Sequence, residues 1–286
     1  MSSISRSMID LSACVELRWL ASVVADIAAA DLQRDPILVG AMARDVLLRH
    51  AHDIDTGRAT EDADFAIAVA TWDDFQQVKD RLLAGGAFRL SRVGIQRLEH
   101  RAIPWIDLVP FGGLERRDRT IAWPPNGETV MNVLGFQEAG ATAMEVRLPA
   151  GQQVQTVSLQ MLAALKLFAW EDRGESVEDR DAEDLMVILE KYLDAGNLAR
   201  FPQDAEAVLG DEFDFSSVGA LLAGRDLKGS LAMIGHRGTT VQASLTRILN
   251  RELEADSDGT LAFAMAGTSG GYALNLIRAF RAGLSS

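Results

Sequence analysis

Thr60-Glu61-Asp62-Ala63-Asp64-Phe65-Ala66-Ile67-Ala68-Val69 and, further along, Pro104-Trp105-Ile106-Asp107-Leu108-Val109-Pro110 decide how this chain reads. Each stretch has the composition of a buried strand, and each carries carboxylates that a buried strand should not have. Side chains alternate along a strand, so Ala63, Phe65, Ile67 and Val69 share one face and Asp62, Asp64, Ala66 and Ala68 the other. Asp62 and Asp64 then point the same way, with Cα atoms roughly 6.6 Å apart. Carboxylates crowded into one partly buried site repel, by about 4 kcal/mol at 4 Å and an effective dielectric of 20. A cation or a shared proton must offset that. Asp107 interrupts an otherwise apolar run and supplies a candidate third ligand. Oxygen donors on rigid strands suit Mg²⁺, and a pair of such ions suits phosphoryl or nucleotidyl transfer.

Composition narrows the setting. The 286 residues suggest one large or two modest domains, and 48% hydrophobic content is enough for a sizeable core. The single cysteine, Cys14, excludes an internal disulfide and a cysteine zinc site. The four histidines, at 50, 52, 100 and 236, form no metal motif by spacing. Arg18 and Asp26 interrupt the apolar stretch near the start, and no signal-peptide pattern precedes it. A cytoplasmic protein without a membrane segment is expected. The net charge of −13 argues against broad, nonspecific nucleic-acid binding. A local basic cluster, Arg116, Arg117 and Arg119, follows the Asp107 strand and is expected to position an acceptor.

The pattern along the chain changes once. Up to about residue 150 it alternates strands and helices: a helix over 10–31, a strand from Pro36 to Val39, a helix from Ala41 to Arg49, a loop over 50–61, and the Asp62 strand. A helix from Trp72 to Leu83, a hairpin over 88–102 around Gly94, the Asp107 strand and a strand at 144–148 follow. From Ser158 onward the periodicity is helical, over 158–172, 180–194, 216–234, 238–253 and 271–283. The expected fold is α+β: a mixed sheet with flanking helices over 1–155, then a helical domain over 156–286 that completes a nucleotide cleft.

Other residues join the two acid strands. Ile37-Leu38-Val39-Gly40-Ala41-Met42-Ala43-Arg44-Asp45 reads as a strand, a turn of small residues and a helix start, which lets a phosphate approach backbone N–H groups. Asp53-Ile54-Asp55 is a rival acid pair, spaced from Gly40 more like the pair in CCA-adding enzymes and bacterial poly(A) polymerases. Thr56-Gly57-Arg58 follows it at once, so no strand can extend from it, and Asp62 with Asp64 is preferred. On the helix over 158–172, Lys166 and Arg173 lie on one face by three-and-four spacing and are able to aim two cations at a triphosphate. The bland reading of Lys166 is a lysine snorkelling from a core helix. Asp181 and Asp184 share a face of the next helix, where the bland reading is solvated surface.

Together these residues resemble the polymerase-beta-like nucleotidyltransferase superfamily. More narrowly they are similar to the AbiEii/AbiGii toxin group and related nucleotidyltransferases. Thr60 to Phe65 matches that group's Thr-x-Asp-x-Asp-Phe, and Asp107, Pro110, Phe111 and Gly112 match its Asp-x-x-Pro-Phe-Gly. Trp123-Pro124-Pro125, Gly135-Phe136 and Glu138-Ala139 also fit. Lys166, Ala169, Arg173, Asp181, Asp184 and Leu185 match Lys-x-x-Ala-x-x-x-Arg followed by Asp-x-x-Asp-Leu. The resemblance spans residues 36–195 and implies a metal-dependent nucleotidyltransferase. It implies Asp62, Asp64 and Asp107 as ligands of two Mg²⁺ ions, with Mn²⁺ able to substitute. It implies Gly40, Ala41, Arg44, Lys166, Arg173 and Asp181 as nucleotide-binding residues, with Lys166 also catalytic. The partners implied are an NTP, a macromolecular acceptor, either an RNA end such as that of tRNA or a protein, and a cognate antitoxin. The opposing reading is a noncatalytic nucleotide-binding protein of the same fold; Gly40-Ala41, where the superfamily has Gly-Gly or Gly-Ser, argues for it, and the intact Asp62, Asp64 and Asp107 argue against it.

Overall fold

The computed structural model describes residues 8–173, 180–201, 215–255, 260–266 and 270–286. It divides into two compact units, residues 1–46 with 57–158 and residues 47–56 with 159–286.

The first unit is built on an eight-stranded mixed sheet. Its strands are β1 (Met8–Asp10), β2 (Ile37–Val39), β3 (Asp62–Val69), β4 (Phe88–Leu90), β5 (Arg97–His100), β6 (Ile103–Gly112), β9 (Met144–Arg147) and β10 (Gln153–Thr156), in the order β1-β9-β10-β2-β3-β6-β5-β4. β7 (Thr120–Ala122) and β8 (Val130–Asn132) form a separate ribbon. The helices are α1 (Arg18–Ala29), α2 (Gly40–Asp45), α3 (Trp72–Ala84) and α4 (Phe136–Ala141). β3 alternates as its sequence demands: Ala63, Phe65, Ile67 and Val69 are buried, while Asp62, Asp64 and Ala68 are half-buried. Thr71 caps α3, accepting from the Asp74 N–H while the Asp74 carboxylate accepts from the Thr71 N–H, so the helix starts one residue after the strand's exit turn.

Two expectations are adjusted. The first helix covers Arg18–Ala29 and is preceded by a strand and a single 3₁₀ turn, Val15–Leu17. The helix expected from Ala41 to Arg49 begins at Gly40 and passes into a π turn over Val46–His50.

The second unit is helical among its described residues: α5 (Leu159–Arg173), α6 (Arg180–Lys191), α7 (Val218–Ile234), α8 (His236–Ala255), α9 (Thr260–Ala266) and α10 (Gly270–Ser285). α7 and α10 pack backbone to backbone. A Cβ on Gly224 would lie 2.2 Å from the Phe280 carbonyl oxygen, and one on Gly283 would lie 2.1 Å from that of Leu221. α9 is absent from the sequence-based reading because Thr260–Ala266 spans less than two helical turns. Among the described residues no helix is long and apolar enough to cross a membrane.

Candidate active site

Three neighbouring strands of the first unit bring the acids together. β3 and β6 run parallel, with Asp64 opposite Asp107 and Asp62 opposite Trp105. β5 runs antiparallel to β6 and sets Arg97 opposite Asp107. Opposed residues share a face, as do alternate residues along a strand. One face therefore carries Asp62, Asp64, Trp105, Asp107 and Arg97. All three aspartates are half-buried, so their charge is partly stripped of water.

The local sequence fixes each acid. Val39 pairs with Asp64, which sets Gly40 directly beside that carboxylate. Gly40 has φ +67°, and a Cβ there would fall 1.9 Å from Asp64 Oδ2. Only glycine satisfies both the left-handed backbone and the close approach. The left-handed requirement of this turn falls on Gly40; Ala41 is within α2 and is not left-handed. Asp62 accepts a short hydrogen bond from the Thr60 hydroxyl, and the Thr60 N–H donates to Asp45 Oδ2 at 3.2 Å. Asp45 in turn holds Arg44, whose Nε and Nη2 donate at 2.9 and 2.6 Å, and Arg44 Nη2 also donates to the Arg58 carbonyl at 2.9 Å. Arg44 is 1% exposed. These bonds tie the guanidinium to Asp45 and to the approach to β3, where sequence reasoning expected a nucleotide contact.

Arg97 is the cation among these acids. Its Nε donates to Asp107 Oδ1 at 2.9 Å and its Nη2 to Asp107 Oδ2 at 2.6 Å. The guanidinium also lies 5.4 Å from the centre of the Trp105 ring. Its pKa is raised, first by its hydrogen bonds to Asp107, with the charges of Asp107, Asp62 and Asp64 adding to it against the opposing effect of burial. One guanidinium thus answers three carboxylates. Sequence reasoning missed Arg97; the signal available was the hairpin around Gly94, whose register against β6 places residue 97 opposite Asp107.

A second charged cluster lies in the helical unit. Lys166 Nζ on α5 sits 2.8 Å from Asp181 Oδ1 and 2.6 Å from Asp184 Oδ2, both on α6. Arg173 Nη1 reaches Asp181 Oδ2 at 2.6 Å. Lys166, Asp181 and Asp184 are all buried, and only Arg173 is exposed. Burial pulls the Lys166 pKa down, but Asp181 and Asp184 outweigh it and hold the value above that of an ordinary lysine. Asp181 and Asp184 are therefore interior groups rather than solvated surface.

The remaining expected residues fall elsewhere. Asp53 and Asp55 are exposed and on no strand, and Asp55 lies 3.6 Å from Arg49. The arginine cluster after β6 is reduced to Arg116 and Arg117, both exposed. Arg119 is turned inward, held by Glu115 and by the fully buried Glu138.

A family described as "Nucleotidyl transferase AbiEii toxin, Type IV TA system" matches residues 23–222. No curated protein matches the chain. Among solved structures, an antigenic nucleotidyltransferase-like protein from Paracoccidioides brasiliensis is similar at 17% identity and a TM-score of 0.40, over 69% of this chain and 89% of that one.

Proposed function

The chain belongs to the AbiEii nucleotidyltransferase toxin family, and from that premise we propose that it is a metal-dependent enzyme that moves an NMP from an NTP to a hydroxyl of a macromolecular acceptor. The observation that carries this reading is the row Asp64–Asp107 on adjacent parallel strands, with Asp62 two residues along and Gly40 pressed against Asp64.

The donor set fits a divalent cation. Three carboxylates share one half-buried face, and such hard oxygen donors suit Mg²⁺ or Mn²⁺. Asp62, Asp64 and Asp107 are the proposed ligands. Bound there, a pair of divalent ions supplies charge stabilisation to the attacking and leaving oxygens of an in-line displacement. The chain's own groups do the rest. Asp45 and Thr60 hold Asp62 in one orientation, and the missing side chain of Gly40 leaves Asp64 room. The backbone N–H groups of Gly40 and Ala41 are proposed phosphate contacts. Lys166, Arg173 and Asp181 are proposed nucleotide-binding residues on the motif match alone. In the reaction the acceptor oxygen bonds to the α-phosphorus, the bond from that phosphorus to the bridging oxygen breaks, pyrophosphate leaves, and the hydroxyl proton passes to solvent.

The acceptor proposed is an RNA end or a protein side chain, and the setting proposed is a toxin with an antitoxin counterpart, which the family description supports. The test is incubation with each labelled NTP, Mg²⁺ and cell lysate, followed by separation of RNA from protein. Label in one fraction under one NTP identifies both substrates. No label under any NTP transfers the weight to a noncatalytic nucleotide-binding protein.

A further inference from the structure

Arg97 occupies both oxygens of a carboxylate that the proposed chemistry needs. Nε covers Asp107 Oδ1 and Nη2 covers Oδ2, at 2.9 and 2.6 Å. A Mg²⁺ ion sits about 2.0–2.1 Å from its oxygen ligands. At that range the ion and the guanidinium would crowd the same carboxylate with like charge. Arginine cannot relieve this by losing a proton, because it remains charged at any ordinary pH. It can only move. The surroundings allow movement: the Arg97 side chain is 27% exposed, and the exposed Trp105 already offers its ring to the guanidinium at 5.4 Å. A cation that leaves a carboxylate keeps a favourable contact on an aromatic face.

We propose that Arg97 is a built-in counter-ion of the Asp62–Asp64–Asp107 row, which surrenders Asp107 to an incoming divalent cation and rests against Trp105 while the cation is bound. This rests on the reading of the three aspartates as metal ligands. Arg97 is a positioning residue in this scheme. It stabilises the carboxylates when no metal is present and competes for them when metal arrives. The affinity of the site for the first ion is therefore set lower than three aspartates alone would give.

The test is Mn²⁺ binding to the full chain, followed by electron paramagnetic resonance, for wild type, Arg97→Gln, Arg97→Lys and Asp64→Asn. Melting temperature is recorded with and without Mn²⁺. Arg97→Gln is expected to bind Mn²⁺ at least tenfold more tightly than wild type. It is also expected to melt lower without the ion and to gain more from adding it. Arg97→Lys keeps the charge but loses the fork, and its affinity is expected to lie between the two. It serves as the folded comparison if Arg97→Gln proves unstable. In wild type labelled at arginine, the Arg97 Nε–H resonance is expected to shift as Mg²⁺ is added. If Arg97→Gln and Arg97→Lys bind Mn²⁺ equally or more weakly, while Asp64→Asn abolishes binding, the proposal is overturned and the metal-ligand reading stands. Arg97 would then be a fixed clamp that orients Asp107. If wild type and Asp64→Asn are alike in not binding, the metal-ligand reading falls and the proposal falls with it.

Discussion

The carboxylate row of the first unit and the Lys166 cluster of the second use similar ingredients to opposite ends. Each sets a cation against two or three aspartates. At Arg97 the cation's side chain is 27% exposed and its closest acid, Asp107, 15% exposed. At Lys166 the cation's side chain is 10% exposed, and Asp184 is wholly buried. Desolvation separates the cases. A half-buried carboxylate can exchange one cation for another at modest cost, because water assists the exchange. A buried pair that loses one partner strands the other in a medium that cannot solvate it. The first cluster is thus suited to binding, and the second, whatever else it does, joins α5 to α6.

The sharpest way to break this contrast is to remove charge from the open row. Asp64→Asn relieves repulsion but loses a ligand, so the fold should survive while transfer falls about a thousandfold, or ~4 kcal/mol of transition-state stabilisation. Asp55→Asn should leave transfer within about twofold of wild type, since Asp55 is exposed. Labelled-NTP turnover with circular dichroism as the fold control decides it. Loss of activity in Asp55→Asn with Asp64→Asn active would move the site to the rival pair.

At the buried cluster the first effect should be on stability. Lys166→Ala is expected to lower it by roughly 3–5 kcal/mol, read from denaturant unfolding. If Lys166 also meets the nucleotide, the NTP dissociation constant measured on the folded variant should rise tenfold or more, ~1.4 kcal/mol per decade. A lower unfolding midpoint with an unchanged constant would leave Lys166 a structural residue alone.

A glycine pair sharpens the contrast further. Gly40 and Gly57 both have left-handed φ, +67° and +75°, so alanine at either costs about 1–2 kcal/mol of backbone strain. A Cβ at Gly57 meets nothing within 4 Å, whereas one at Gly40 drives into Asp64. Gly40→Ala should therefore destabilise more than Gly57→Ala and should also weaken Mn²⁺ binding, measured by titration calorimetry. Equal effects from the two would mean that the room beside Asp64 is not used.

How much of this was legible in sequence follows from which interactions are local. The burial of β3 and the placement of Asp62 and Asp64 on one face need only the alternation of side chains, and the sequence shows it directly. The acids of β3 lie beside Asp107 because of strand order, which alternation cannot give; there the expectation came from a charge interrupting an apolar run, and the motif resemblance added to it. Arg97 was invisible because its importance lies in a register between β5 and β6, and an arginine in a hairpin otherwise reads as surface. The burial of Arg44 was invisible for the complementary reason. Among its contacts are its neighbour Asp45 and the Arg58 carbonyl, fourteen residues on. Asp181 and Asp184 looked like solvated helix surface because charge spacing on one helix does not reveal that another helix covers it.

The smallest expected effect tests the same rule at a third pair, where burial and charge meet on one histidine. His100 is fully buried at its side chain, with Nε2 3.0 Å from Asp26 Oδ2 and Nδ1 accepting from the Ala102 N–H at 3.1 Å. The neutral ring is thus satisfied at both nitrogens, donating from Nε2 and accepting at Nδ1. A second proton would have to sit at Nδ1, facing another donor. Burial lowers the His100 pKa below 6.5, and it outweighs the hydrogen bond and charge of Asp26, while Arg101 pushes the same way as burial. At Lys166 two aspartates overcome burial; here one does not. The sign follows from proton counting. Below pH 6.5 the unfolded chain takes up a proton at this residue and the folded one does not, so stability is present above that pH and is lost as pH falls toward the lowered folded value. The melting temperature of wild type should therefore drop from pH 7 to pH 5 more steeply than that of His100→Gln, which has nothing to titrate. The difference between the two slopes isolates His100 from the carboxylates that begin to titrate in the same range. Parallel slopes would mean that His100 is charged in the folded protein, and that a single carboxylate suffices to hold a buried cation.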